Sequence, residues 1–195
     1  MPKKAVFLSI LLSLYSLVPL FSQEDRTFFW SMCLQNIRTT EFMPFFAPVQ
    51  SSTGERFYLI MRFQHECYCY IISENSPTGE MIVAYTGQIA GNKFFNFRFE
   101  LTPPGGSESI FIITSRVQLG TLEQRIAAFN TNSGMRQRRA LMNEIQNLRR
   151  DASRFTETPE KPVLMGGAGR TVTERDWGVE YSGSELYIKT ISINH

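Results

Sequence analysis

Lys93-Phe94-Phe95-Asn96-Phe97-Arg98-Phe99-Glu100, the stretch KFFNFRFE, decides the fold class. Phe95, Phe97 and Phe99 recur at every second residue, while Asn96, Arg98 and Glu100 take the positions between them. Residues two apart share a face only in an extended chain, so this is a half-buried strand with a phenylalanine ladder toward a core. Next along the chain, LTPPGGSE is a turn, because its prolines fix φ and its glycines release it. Residues 109–115 (SIFIITS) follow as an inner strand, since Ile110, Phe111, Ile112 and Ile113 are apolar at consecutive positions and predict burial on both faces.

Reading back from KFFNFRFE, residues 57–63 (FYLIMRF) and 67–72 (CYCYII) have the β-branched and aromatic content of strands. Gln64, His65 and Glu66 between them predict a hairpin. SENSPTG predicts a reversal before MIVAY, residues 81–85. At the other end, GSELYIKTISIN closes the chain as a strand, with Leu186, Ile188 and Thr190 on one face and Tyr187, Lys189 and Ile191 on the other.

The period changes at Leu119. Leu122, Ile126 and Phe129 are spaced for one helix face, with Thr121 as the expected cap, and NTNSG interrupts the pattern. Leu141, Ile145, Leu148, Ala152 and Phe155 then repeat at helical spacing and predict a second helix over 135–155. The expected architecture is mainly β with a helical hairpin, of class α+β. It is an antiparallel, β-sandwich-like domain with the hairpin, about 120–155, laid on one face of a sheet or inserted between strands.

The N-terminus reads as an export signal. Lys3 and Lys4 precede an apolar run from Ala5 to Phe21, and a polar QEDR sequence follows Ser22. Residues 1–22 are therefore expected to be a cleaved signal peptide. The alternative is a retained membrane anchor, for which the run lies at the short margin and carries Pro19 near its end. Residues 23–52, with FFW, FMPFF and no sustained period, are expected to be an arm, an edge strand or wrap packing on one β-rich domain over 53–195. The full chain has 20 basic and 18 acidic residues, and loss of 1–22 removes two lysines and no acid. A neutral mature chain has no global field to gather nucleic acid, so no specific nucleic-acid partner is expected, and no membrane span remains after signal removal.

Export places the three cysteines where disulfides form, yet three cannot all pair in one chain. Cys67 and Cys69 share a strand face, and small buried core residues are the plainer reading. A bridge from Cys33 to Cys67 or Cys69 stays open, whereas Cys-x-Cys lacks the further ligands of a closed zinc site, so neither metal nor cofactor is expected. The catalytic inventory is poor. His65 could activate Cys67 or Cys69 as a thiol nucleophile, but no oxyanion-hole sequence accompanies it. His195, the last residue, is expected to fray. The second helix gathers Arg136, Arg138, Arg139, Arg149, Arg150 and Arg154 against Glu144 and Asp151, which reads as a solvated face. GGAGRT lacks the Lys-Ser/Thr of a phosphate loop and reads as a turn within a longer loop, TPEKPVLMGGAGRTVTE.

CYCYIISENSPTGEMIVAY together with FRFELTPPGGSESIFIITS resembles a family of bacterial extracytoplasmic domains of unknown function marked by a Pro-Pro-x-Gly-x-Glu turn. Pro103, Pro104, Gly106 and Glu108 carry that turn, and the likeness extends over residues 54–192. The resemblance implies a β-rich envelope module and supplies no catalytic residue. The function expected from the whole chain is a noncatalytic periplasmic or secreted module that binds an envelope protein or cell-wall component. The contact surface would comprise the N-terminal arm, the turn with Pro104 and Glu108, and the loop around Arg170. An alternative is glycan or peptide binding by Tyr58, Tyr68, Tyr70 and Tyr85, provided that they line one concavity. A thiol-dependent or hydrolytic enzyme is the third reading.

Overall fold

Burial on both faces of strand β8 (Ser107–Ser115) sets up a three-layer architecture in the computed structural model, which describes residues 28–155, 161–164, 177–183 and 185–195. Ile110 and Ile112 enter one core cluster, and Phe111 and Ile113 enter a second on the opposite side. Strand β5 (Cys67–Asn75), its antiparallel neighbour, divides its side chains in the same way. Cys67, Cys69 and Ile71 face the first cluster, and Tyr70 and Ile72 the second. These strands sit inside a middle sheet completed by β3 (Val49–Gln50), β6 (Glu80–Ile89) and β11 (Leu186–Asn194). Its order is β3-β11-β8-β5-β6, and only the β3–β11 pair is parallel.

An outer sheet packs on one side. It has the order β7-β4-β1-β10-β9, formed by β1 (Phe28–Asn36), β4 (Arg56–Phe63), β7 (Lys93–Glu100), β9 (Lys161–Leu164) and β10 (Trp177–Gly183), with β2 (Phe42–Met43) paired to β1. Phe28, Trp30, Met32 and Leu34 of β1 and Phe57, Leu59, Met61 and Phe63 of β4 alternate into the space between the sheets. Each such side chain contributes about 1.5–3 kcal/mol by leaving water. On the far side of the middle sheet lies the helical hairpin, α1 (Gly120–Thr131) and α2 (Met135–Phe155). It buries Leu122, Ile126, Phe129, Leu141, Ile145 and Ala152 against Tyr70, Ile72, Phe111 and Ile113. The protein is thus mainly β, a sandwich of two sheets with a helical hairpin on one face. Among the described residues, no helix is long and apolar enough to cross a membrane.

Several local expectations are corrected. The described part of the N-terminal segment is no arm, because β1 lies between β4 and β10 and supplies four core side chains. Its outward positions carry Phe29, Ser31 and Cys33, so the alternation of polarity that marks a two-residue period is blurred. Residues 57–63 and 67–72 are not hairpin partners, since β4 belongs to the outer sheet and β5 to the middle one. Residues 64–66 carry the chain across the sandwich, and both strands turn their apolar sides toward the same interior. The SENSPTG reversal does join β5 to β6, with a bulge between Ile71 and Ile72.

Helix α1 begins at Gly120, so Thr121 lies inside its first turn. Leu119 takes the cap position without a side-chain cap. Within the expected late loop, Lys161–Leu164 is a strand paired with β10, while the GGAGRT segment and Arg170 lie outside the described residues. The arginines of α2 are also more than a solvated face. Arg138 donates to the Gly79 carbonyl, and Arg149 donates to Thr190 Oγ1 on β11 at 2.8 Å, tying the helix to the sheet.

A second crossing, residues 90–92, takes the chain from β6 back to β7. The two crossings touch: a Cβ on Gly91 would stand 2.9 Å from the Gln64 carbonyl oxygen and 3.0 Å from the Glu66 nitrogen, both backbone atoms that cannot swing away. Gly91→Ala is therefore expected to destabilise the fold by about 1–3 kcal/mol, the usual cost of forcing an extra group into a filled space. The midpoint of urea unfolding measures this, and an unchanged midpoint would show that the crossings separate freely.

Candidate binding cleft

Tyr68 and Tyr70 project from β5 toward the helical hairpin, but they meet different surroundings. Tyr70 is fully buried beneath the start of α1. Its hydroxyl donates to Glu123 Oε1 at 2.9 Å and accepts the Leu119 N–H at 3.1 Å. One phenol thus substitutes for the absent side-chain cap and anchors the first acidic residue of the helix. Burial pushes the Tyr70 hydroxyl up from its ordinary range, and its hydrogen bond to Glu123 adds to the rise, so it remains a protonated donor. The other oxygen, Glu123 Oε2, accepts from Gln118 Nε2 at 2.5 Å. Both oxygens of this carboxylate are therefore fixed in place.

Tyr68, half-buried, lies beside that carboxylate in a solvent-open cleft of about 390 Å³. Thr86, Gly87 and Gln88 of β6 form one wall, and Ile126, Ala127 and Asn130 of α1 form the other, with Gln118 and Glu123 at the end. The β5–β6 register explains the first wall, because Gln88 stands opposite Tyr68 and Thr86 opposite Tyr70. Chemically the cleft offers a carboxylate that only accepts, three carboxamides that donate and accept, and two hydroxyls that do either. An aromatic ring and a short apolar helix strip complete it. Such a set suits a neutral ligand rich in hydroxyl or amide groups, with the ring available for stacking.

The four tyrosines do not line one concavity. Tyr58 lies on the outward face of the outer sheet, in a cross-strand row with Gln35 and Arg98. Tyr70 is sealed under α1. Tyr85 sits at the sandwich margin, with its ring centroid 4.6 Å from that of Phe95. Only Tyr68 reaches the cleft. Glu123, Gln118, Gln88 and Asn130 were not singled out in the sequence, and the one available signal was an acidic residue in the first turn of an amphipathic helix.

The cysteines sit apart from this chemistry. Cys67 and Cys69 carry free, buried thiols in the core between the sheets. Burial pushes Cys67 up to about 12, with the Glu66 charge adding to it, and raises Cys69 well above its ordinary value. Thiols held protonated are poor nucleophiles and poor metal ligands. The bridge from Cys33 is not formed. Cys33, also buried, alternates with Met32 and Leu34, so it points to the face of β1 away from the core that holds Cys67 and Cys69.

Pro104 is exposed in the turn before β8, where its peptide bond with Pro103 is cis. Glu108 is partly buried nearby. His195 does not fray, because its N–H donates to the Gly106 carbonyl at 2.8 Å and its carbonyl accepts the Gly106 N–H at 2.6 Å. Its Nδ1 lies 3.2 Å from Thr53 Oγ1. Burial raises Glu108 above its ordinary value, and the His195 charge and a hydrogen bond with Ser73 oppose that rise only in part. A scan of protein-family models, a search of curated proteins and a search of solved structures each give no match to this chain.

Two outcomes follow from this geometry. Tyr70→Phe leaves the Leu119 N–H and a Glu123 oxygen without their shared partner, and should cost about 1–3 kcal/mol in urea unfolding. An equal midpoint would show that the phenol does not hold the helix start. For Glu108, a folded-state value raised above 4.5 means that the folded chain holds the proton more tightly than the unfolded one. The associated stability is present below the unfolded value and is lost as pH rises through the raised one. Glu108→Gln should therefore gain on the parent as pH climbs from 4 to 7, read as the difference in melting temperature, whereas a constant difference would contradict the assignment.

Proposed function

We propose that the chain is an exported, noncatalytic binding module of the bacterial periplasm or cell envelope, and that the cleft beside Tyr68 takes a glycan or peptide segment of an envelope component. The observation that carries this reading is the Glu123 carboxylate, fixed at one oxygen by Tyr70 and at the other by Gln118, beside an aromatic ring and further carboxamides. A pre-set acceptor loses little freedom when a ligand hydroxyl or amide N–H docks on it. The export signal read in residues 1–22, which lie outside the described residues, supports the location. The raised Cys67 and Cys69 thiols weigh against the thiol-enzyme alternative.

Binding of a partner protein is the second reading, favoured by strand β7. It is an edge strand with Phe94 55% exposed and Phe95, Phe97 and Phe99 only half covered. Its Lys93, Arg98 and Glu100 charges are the kind that discourage indiscriminate pairing along a sheet edge.

Soluble N-acetylglucosamine oligomers, neutral chains rich in hydroxyl and amide groups, provide the test against isotope-labelled protein. The side-chain amide signals of Gln88, Gln118 and Asn130 should shift saturably, and Tyr68→Ala should weaken binding at least tenfold. Shifts confined to the β7 backbone would favour the protein-partner reading. No shift at any of the three amides would overturn the cleft assignment.

A further inference from the structure

Strand β7 is the end of the outer sheet, and among the described residues no strand lies beyond it. The bonding of its neighbour decides which backbone groups it leaves free. The Leu101 N–H donates to the Glu55 carbonyl at 3.0 Å, one step past the Arg56–Glu100 pair of the β4–β7 register. Hydrogen-bonded pairs alternate along an antiparallel ladder, so Phe99, Phe97, Phe95 and Lys93 also bond to β4. Phe94, Asn96, Arg98 and Glu100 direct their N–H and C=O groups out from the edge. The other side of β4 agrees. The Gln64 N–H donates to the Phe29 carbonyl at 3.1 Å and the Ile37 N–H to the Arg56 carbonyl at 2.9 Å, which turns the even-numbered residues of β4 toward β1.

Both faces of this edge are also unfinished. On the outward face Phe94 is 55% exposed, and the Arg62 guanidinium, opposite it on β4, lies 5.7 Å from its ring centre. On the inward face Phe95, Phe97 and Phe99 pack against the core between the sheets but stay half-covered. One further strand would satisfy the backbone groups and cover both sets of rings.

We propose that the missing strand is β7 of a second copy of this chain, paired antiparallel about Asn96 so that two outer sheets join into one. This goes beyond both readings of function above, since the occupant is the chain itself and neither the cleft nor a foreign partner enters. In this register Phe94 stands opposite Arg98 of the second copy, in two rows related by symmetry, and Asn96 stands opposite Asn96. Each Phe94 ring lies between its own Arg62 and the second copy's Arg98, a guanidinium on either side of one π-system. On the inward face Phe95 meets Phe97, an aromatic cross-strand pair. Every hydrogen-bonded pair joins residues whose groups point outward.

The charges of β7 select this register from its neighbours. Pairing about Phe97 sets the Phe94 ring against the Glu100 carboxylate, and pairing about Arg98 sets two guanidinium groups opposite each other. Pairing about Phe95 overlaps only residues 93–97 and leaves Arg98 without a ring. Residues that discourage indiscriminate edge pairing thereby specify one partner. The contact is closed, because it consumes the β7 edge of both copies and ends at two.

Sedimentation velocity of the full chain tests this, with a dimer as the expected result. Asn96→Pro removes an N–H that faces away from β4, a loss that an edge strand tolerates. It should weaken the dimer at least tenfold with the far-UV spectrum unchanged. Phe94→Lys, at an exposed position, sets a second cation opposite Arg98 in both rows and should weaken the dimer likewise. Adding Arg98→Glu to Phe94→Lys makes both rows pairs of opposite charge and should restore it. A chain that stays monomeric up to about 100 μM, or one that forms assemblies larger than a dimer, would overturn the proposal. So would a dimer indifferent to Asn96→Pro and Phe94→Lys, a dimer tightened by Phe94→Lys, or a double variant no tighter than Phe94→Lys alone.

Discussion

Every layer of this protein is organised by the fact that the middle sheet is apolar on both sides. Strands β5 and β8 each present one set of side chains to the outer sheet and the other set to the helical hairpin. A sheet with two dry faces must be covered twice, and the fold is the arrangement that does so with one chain. The outer sheet supplies an aromatic cover, with Trp30, Phe28, Phe57, Phe63 and Tyr181 packed on β5, β8 and β11, and the hairpin supplies one that is aliphatic apart from Phe129. The candidate cleft exists because that second cover is incomplete. Helix α1 crosses the margin near β6 and leaves Tyr68 and Gln88 in contact with solvent.

The parts of this architecture that were legible in the sequence are those whose pattern is local. KFFNFRFE shows its alternation outright, SIFIITS shows its two buried faces, and the two helices show their spacing. Strand β1 was hidden because Phe29 and Cys33 occupy outward positions, and two apolar residues on the wrong face are enough to erase a two-residue period. The crossings at 64–66 and 90–92 were illegible for a different reason. A short polar link between two strands looks the same whether the strands pair or face each other across a core, and the choice is made by distant partners such as β1 and β8.

The candidate sites were still less visible. Four tyrosines could be named from composition, yet their faces are set by sheet membership, and that scatters Tyr58, Tyr68, Tyr70 and Tyr85 over different surroundings. The cysteines were the better case, because Cys67 and Cys69 follow the face rule of a single strand. Glu123 acquires its role only when the first turn of α1 comes to rest on Tyr70, a contact spanning 53 residues of chain. His195 shows the same limit from the other side, since a last residue looks free until Gly106 and Thr53 are placed beside it.

Strand β1 lies between β4 and β10, so the first strand of the described chain obtains its second neighbour from residues 177–183. Closing such long loops costs chain entropy before any contact repays it, and folds of this kind form slowly. The core between the sheets is complete only with β10 and β11 in place, since Tyr181, Tyr187, Ile191 and Ile193 belong to it. A chain built this way stays open until residues 177–194 have been made, and only then does β1 gain its second neighbour.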